Sequence, residues 1–145
     1  FTDLGSGGRE AVLREMVGRI HENGDLGKAS PDDVVKLLLD REKKGSTGFG
    51  AGVALPHVKS DDLSGTVISI GRSDEGVDFN ATDGEPVHTL FLILSPQADA
   101  EAHVNTLKWI VTLAQSRYYS RLLRGSRTVD QIADLLREYE DDEKR

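Results

Sequence analysis

The chain has no cysteine among its 145 residues and no long apolar run. Without cysteine, a disulfide framework, a thiol nucleophile and a cysteine-based metal site are all excluded. The longest apolar stretch, 90–94, falls well short of the ~18 residues that a membrane-spanning helix needs, and no signal-peptide pattern is present. These absences lead us to expect a cytoplasmic chain without direct membrane insertion.

Positive charge is also scarce. The chain has 18 Lys and Arg against 25 Asp and Glu, which gives a formal net charge of −7. Proteins that bind nucleic acid hold its phosphates with clustered Lys and Arg, so we expect no nucleic-acid partner. A net negative charge instead suits a basic protein partner, because opposite potentials speed encounter.

The length and composition are those of one globular domain. Hydrophobic residues make up 37% of the chain and charged residues 30%, and no internal repeat or low-complexity run is present. A chain of this length can bury one continuous core. We expect a single domain over 1–145, with its ordered part at about 9–140 and frayed ends at 1–8 and 140–145.

Apolar spacing predicts alternating helices and strands. The helices are expected at 10–22, 30–44, 99–115, 118–124 and 128–139, and the strands at 53–55, 65–71, 77–79 and 88–94. Ser30 before Pro31 is typical of a helix start, and Thr128 with Gln131 matches a capping box. The pattern predicts an α/β fold in which helices flank a single mixed β-sheet.

The most informative segment is a glycine-rich stretch that runs into a short apolar strand and ends on His57. Pro56 disfavours helix at Leu55 and has no N–H for a ladder, so we expect the strand to stop where His57 begins. Period-two alternation puts Val53, Leu55 and His57 on one face. The imidazole would then lie beside an apolar wall, facing a loop with enough glycine for another molecule's backbone to approach.

Histidine chemistry is the reactive chemistry that this pattern favours. The neutral imidazole is a nucleophile, and an unperturbed histidine with a pKa near ~6.5 is mostly neutral at cytoplasmic pH. His103 falls on the helix face shared by Leu107, Ile110 and Ala114, so it is expected to point inward. Packing or surface roles are expected for His21 and His88.

Two other kinds of site are disfavoured. The glycines fit neither the dinucleotide fingerprint nor the phosphate-binding loop of nucleotide enzymes. His57 and His103 have no Cys or carboxylate nearby at ligand spacing, so no metal is expected.

One family carries the same motifs in the same order. The first motif here reads Arg41-Glu42, then Gly45-Ser46-Thr47-Gly48-x-Gly50-x-Gly52-Val53-Ala54-x-Pro56-His57. Further motifs are Val77-x-Phe79, Asp83-Gly84-x-Pro86-Val87, Phe91-Leu92-Ile93-Leu94-x-Pro96 and Ala102-His103-x-x-x-Leu107. Over about residues 9–140 the chain resembles the type-2 enzyme IIA domains of the bacterial phosphotransferase system, which serve fructose, mannitol or nitrogen regulation.

The resemblance implies a fold, a reaction and partners. The fold would be that of mannitol-type IIA domains. His57 would accept a phosphoryl group from the phosphocarrier HPr or an HPr-like protein, and would pass it to an enzyme IIB domain or hold it as a signal. Because family IIB domains often accept on cysteine, the recipient would lie outside these residues. No cofactor is implied. The alternative is a regulatory binding module that controls a transporter or another target without phosphorylating a sugar.

The resemblance also assigns supporting residues. His103 matches the family's second histidine, and Arg41, Ser46 and Thr47 are candidates to hold the phosphoryl oxygens. Each of these three also has a structural interpretation: Ser46 and Thr47 as turn residues, and Arg41 as a cation at the negative end of a helix dipole. Ala51 stands where relatives commonly carry Asn, so an amide that could orient the phosphohistidine is missing.

Overall fold

The computed structural model describes residues 8–50 and 52–143, which include every predicted helix and strand. Residues 1–7 and 144–145 of the predicted frayed ends lie outside this range, and so does Ala51. Gly8 directly precedes the first helix, and the last helix continues to Glu143. The prediction that the chain is frayed from 140 onward is therefore wrong for 140–143, which are helical.

In the described residues, five α-helices form where the apolar spacing predicts helix, and a short 3-10 helix that was not predicted precedes the third. They are α1 Arg9–Glu22, α2 Pro31–Lys43, the 3-10 helix Gln97–Asp99, α3 Ala100–Gln115, α4 Arg117–Gly125 and α5 Val129–Glu143. The Ser30 hydroxyl accepts from the Asp33 N–H at 3.1 Å and caps α2. The capping box is also confirmed, because the N–H groups of Gln131 and Thr128 each bond the other's side chain.

The sheet has five strands, with the longest apolar run at its centre. They are β1 Gly48–Gly50, β2 Val53–Ala54, β3 His57–Lys59, β4 Val67–Val77 and β5 Val87–Ser95. β4 pairs antiparallel with one side of β5, and β2 and β3 pair parallel with the other side, one after the other. β1 pairs antiparallel with β2. The predicted mixed sheet is thus confirmed, and among the described strands the partner of β4 is β5.

Side-chain alternation along β5 explains why helices cover both faces. Leu90, Leu92 and Leu94 pack into a core with α1 and α2, whereas Phe91 and Ile93 pack into a second core with α3, α4 and α5. A run that is buried on both faces must be continuously apolar, as this one is. The result is a layer of helices on each side of the sheet.

The strand before His57 ends ahead of that residue, as predicted, but a further strand that was not predicted begins at His57. The chain leaves the sheet at Leu55 and Pro56, and His57 then begins a new strand, β3, paired with Ile93. Pro56 has no N–H to give, but its carbonyl accepts from the Ile93 N–H at 3.0 Å, which lets pairing resume at once. His57 is therefore held by a ladder.

Two further strand predictions are corrected. The strands expected at 65–71 and 77–79 are a single strand, β4, whose pairing becomes irregular between Arg72 and Val77. Gly76 lies in that stretch with φ of 88°, a conformation that suits glycine. β1 was not predicted, because a segment with glycine at both ends has a loop-like composition.

Candidate functional site

His57 lies half-buried at the start of β3, with its two ring nitrogens in different surroundings. Its Nδ1 is 2.6 Å from the carbonyl oxygen of Leu55. A carbonyl can only accept, so Nδ1 carries the hydrogen and donates it. In the neutral ring Nε2 then holds the lone pair, and no described residue bonds to it. The backbone thus selects the nitrogen that can act as a nucleophile.

His103 lies beside His57, as the sequence predicted. It sits in the first turn of α3, is only 2% exposed, and has its ring centroid 5.5 Å from that of His57. Its Nδ1 is 2.8 Å from the Ser95 hydroxyl, which can donate or accept. Its Nε2 is buried and has no hydrogen-bond partner among the described residues. Such an orphaned polar atom beside a reactive ring indicates a place for a ligand group.

Burial favours the neutral form of both rings. It lowers the pKa of His57, an effect opposed by the hydrogen bond to Leu55 and reinforced by the positive charge of Arg41. Burial likewise lowers the pKa of His103, with further lowering from His57 and Lys59. An imidazole that stays neutral keeps its lone pair available at physiological pH.

A buried carboxylate holds the loop in front of His57. Glu42 accepts from the Thr47 N–H at 3.1 Å and from the Thr47 hydroxyl, and it forms an ion pair with Arg9 at 3.6 Å. The hydroxyl of Ser46 donates to the Phe79 carbonyl. Both hydroxyl groups therefore donate their hydrogen bonds within the protein, so in this structure Ser46 and Thr47 stabilise the conformation of the loop.

Arg41 takes part in the same loop and also reaches the site. Its guanidinium donates to the Gly45 carbonyl at 2.7 Å, which uses one of its five N–H groups. It lines an open depression of about 420 Å³. The other lining residues are Ser46, Thr47, Leu55, His57, Leu107, Val111 and Gln115. The depression combines an apolar wall with one cation and one imidazole.

The acidity of the chain is not concentrated at this depression. The charged side chains that act on His57 are Arg41, Glu42 and Lys59, and Glu42 is buried. Two cations and one buried anion make the surroundings of His57 favourable for an anionic group. The net charge of −7 therefore predicts little about the field at the site itself.

Sequence reasoning assigned no role to two residues of the site. Ser95 orients His103, and nothing in its strand pattern marks it for that role. Glu42 did leave a signal: Val34, Leu38 and Glu42 follow one another at i, i+4 and i+8 on the buried face of α2. A charged residue in a buried stripe has to find partners inside the protein.

The other two histidines lie away from this depression. His21 is exposed near the end of α1. His88, at the start of β5, has its Nδ1 2.9 Å from the Ser73 carbonyl and its Nε2 3.3 Å from the Arg124 guanidinium. The one donor and the one acceptor of the neutral His88 ring are thus both used in hydrogen bonds within the protein.

The described part of the chain contains neither a cluster of metal-ligating side chains nor a membrane-spanning helix. Within 8–50 and 52–143 there is no group of three His, Cys, Asp or Glu side chains placed to hold a metal ion. In the same residues, every helix is too short or too polar to cross a bilayer.

Known proteins share this sequence pattern. Residues 1–139 match the family described as "Phosphoenolpyruvate-dependent sugar phosphotransferase system, EIIA 2". A nitrogen regulatory protein of Bradyrhizobium diazoefficiens is 37% identical over 128 residues, which are 88% of this chain and 82% of that protein. The fructose-specific EIIABC component of Bacillus subtilis is 30% identical over 132 residues, 91% of this chain. The chain spans only 20% of that longer relative.

Solved structures share the fold. The nitrogen regulatory protein IIA-Ntr of Neisseria meningitidis superposes with a TM-score of 0.81 at 28% identity, covering 93% of this chain and 90% of that one. The mannitol IIA domain of Escherichia coli, in its complex with phosphorylated IIB, superposes with a TM-score of 0.77 at 20% identity and covers 94% of each chain. The predicted mannitol-type IIA fold is confirmed.

Proposed function

Because the chain belongs to the type-2 EIIA family of the phosphoenolpyruvate-dependent sugar phosphotransferase system, we propose that Nε2 of His57 accepts the phosphoryl group. Members of this family are phosphocarriers of sugar transport or of nitrogen regulation. One observation carries the assignment. The Leu55 carbonyl accepts a hydrogen bond from Nδ1–H of His57, so the lone pair of the neutral ring is on Nε2, and His57 lines an open depression.

The transfer needs one bond to form and one to break. The phosphorus–nitrogen bond of the donor's phosphohistidine breaks while a bond forms between phosphorus and Nε2 of His57, and the donor ring recovers its lone pair. The hydrogen on Nδ1 of His57 stays there, donated to the Leu55 carbonyl, throughout the transfer, so His57 needs no base. Positioning and charge stabilisation then supply the catalysis.

Three side chains stabilise the transferred group in this proposal. Arg41 and Lys59 supply positive charge, and the low pKa of His57 reflects their field as well as burial. His103 supplies a hydrogen bond: when the Ser95 hydroxyl donates to Nδ1 of His103, its Nε2 carries the hydrogen. That N–H has no partner among the described residues until a phosphoryl oxygen arrives.

The partners proposed are an HPr-like donor and an acceptor that is either an EIIB domain or a regulatory target. Two comparisons support these acceptors: a mannitol IIA domain forms a complex with phosphorylated IIB, and nitrogen regulatory proteins are similar over most of the chain. The shallow, open shape of the depression suits an encounter of two proteins, since a donor histidine on a protein surface could not enter a deep pocket.

Intact-mass measurement tests the acceptor. After incubation with phosphoenolpyruvate, enzyme I and HPr, the chain should gain one phosphoryl mass that acid removes and base does not. His57→Ala should abolish the gain, and His88→Ala is the matched control that should retain it. Circular dichroism would verify that both variants are folded. A phosphorylated His57→Ala protein would refute the assignment.

A further inference from the structure

A second, larger cavity adjoins the His57 depression. Its volume is about 570 Å³, and Gln115 lines both cavities. Its other lining residues are Gly50, Asp83, Ala114, Arg117, Ser120, Arg121 and Arg124. Small-molecule sites in proteins typically have volumes of about 300–1,000 Å³.

Three arginines of α4 give this cavity its chemistry. Arg117, Arg121 and Arg124 stand at i, i+4 and i+7, so they project from one face of the helix. All three are exposed. Against them the lining holds one acid, Asp83, so the balance is 3 − 1 = +2 in a chain whose net charge is −7. A concave, positive surface on an acidic protein selects anions.

These arginines also lack acidic partners in the described part of the chain. Among residues 8–50 and 52–143, no carboxylate forms an ion pair with Arg117, Arg121 or Arg124. Most other described arginines are paired: Arg9, Arg14, Arg19, Arg72, Arg127 and Arg137. The remaining one, Arg41, belongs to the His57 depression. Unpaired guanidiniums therefore collect at these two adjoining cavities.

One of the three is held in place by an uncharged partner. Arg124 donates to Nε2 of His88 at 3.3 Å, and His88 can accept there because its Nδ1 hydrogen goes to the Ser73 carbonyl. The Arg124 backbone carbonyl accepts from the side chain of Arg72 at 2.8 Å. The bond to His88 positions the guanidinium of Arg124 without neutralising its charge, and the bond from Arg72 fixes the backbone at the same residue.

We propose that this cavity binds a small anion that carries phosphate groups. Each guanidinium presents a planar fork that can donate two hydrogen bonds to the oxygens of one phosphate. Several arginines on one helix face can therefore bind a ligand that carries more than one phosphate group. The concave lining favours a small molecule over an acidic protein segment. The site is separate from His57 and does not depend on phosphoryl transfer.

Isothermal titration with inorganic pyrophosphate at low ionic strength tests the site. The unphosphorylated chain should bind one molecule, with an affinity that falls as salt is added. Arg121→Gln should weaken binding about tenfold or more, because it removes charge-assisted hydrogen bonds. Arg137→Gln is the matched control: it removes the same charge from an exposed arginine on α5 and should leave the affinity within about twofold.

Four results would overturn the proposal. They are the absence of saturable binding, an equal loss in Arg121→Gln and Arg137→Gln, a loss in Arg41→Gln without one in Arg121→Gln, and binding of polyglutamate but not pyrophosphate. The third result would place the anion at His57, and the fourth would make the surface a protein-docking face. Since the titration uses unphosphorylated protein, its failure is distinct from a failure of His57 to accept a phosphoryl group.

Discussion

His57 and His88 share one tautomer and differ at the other nitrogen. In both rings Nδ1 donates to a backbone carbonyl, that of Leu55 at 2.6 Å and that of Ser73 at 2.9 Å. Nε2 of His88 accepts from Arg124, whereas Nε2 of His57 has no partner among the described residues. Backbone selection of a tautomer is therefore not enough to make a reactive histidine. The second nitrogen must also be left open to a partner.

The groups behind the two histidines differ in burial. Behind His57 lie Glu42, with its side chain fully buried, and His103. Beside His88 lies Asp74, which pairs with Arg72 and Arg127 and has a side chain 60% exposed. Arg72 holds the pKa of Asp74 below its ordinary value through a hydrogen bond. Interactions at the His57 end are shielded from water and should respond more strongly to substitution.

The largest effect should come from replacing His103. His103→Asn keeps an acceptor near the Ser95 hydroxyl but has no N–H at the position of Nε2. Phosphorylation of His57 should therefore slow about 10²-fold, as it does when a donor to an oxyanion is removed. His103→Gln keeps an N–H at the distant position and should remain within about tenfold of the wild type. Single-turnover transfer from phosphorylated HPr measures both. Equal rates in the two variants would mean that His103 acts only through packing.

The next effect should be on stability. Glu42→Gln places an amide N–H₂ against the two Thr47 donors and Arg9, which should lower the free energy of unfolding by about 2 kcal/mol. Asp74→Asn removes a carboxylate that is 60% exposed and keeps an oxygen that can accept from the buried Arg72, so its effect should be smaller. Urea unfolding followed by circular dichroism compares them. Similar urea midpoints for the two variants would show that the surroundings of His57 and of His88 do not differ in their contribution to stability.

A pH effect should follow from the two lowered histidine pKa values. Between those values and ~6.5, the unfolded chain binds protons that the folded chain does not, so stability rises with pH across that window and is lost as pH falls through it. The urea concentration at the unfolding midpoint should therefore decrease when the pH is lowered from 7.5 to 5.5. In a variant that carries both His57→Asn and His103→Asn the fall should be smaller. An unchanged pH dependence would show that neither ring is protonated on unfolding.

The smallest effect is expected from a variant that tests whether a ring nitrogen without a hydrogen-bond partner is sufficient for phosphorylation. Arg124→Leu removes the donor to Nε2 of His88 and leaves that ring in the tautomer seen for His57. His88 should still not accept a phosphoryl group, because Arg41, Lys59 and His103 all lie at the other site. Intact mass of Arg124→Leu combined with His57→Ala measures this. A phosphoryl gain would show that the supporting groups are dispensable.

Local patterns sufficed for most of the architecture. Helical spacing and caps located α1, α2 and α5, and the apolar run of β5 predicted a strand buried on both faces. Period-two alternation also placed Leu55 and His57 in one depression. These features depend on residues that are near one another in the sequence.

What the sequence did not predict depends on pairing between distant residues. Glycine composition hid β1, which exists because β2 lies beside it. Pro56 indicated the end of a strand, yet Ile93 captures its carbonyl and pairing resumes at His57. The contact of Ser95 with His103 likewise appears only once β5 and α3 are packed. The roles of the site residues remain predictions for the experiments above.

The exposed apolar side chain of Ile68 has a consequence for handling the protein at high concentration. Natural sequences limit association between chains by placing charge or irregular pairing beside apolar strand residues. The part of β4 near Arg72 and Asp74 carries both, including the glycine at position 76. The part at 67–70 carries no charge, and Ile68 there is 51% exposed. Ile68→Lys would place a charge in this part of β4 and oppose association through its apolar surface.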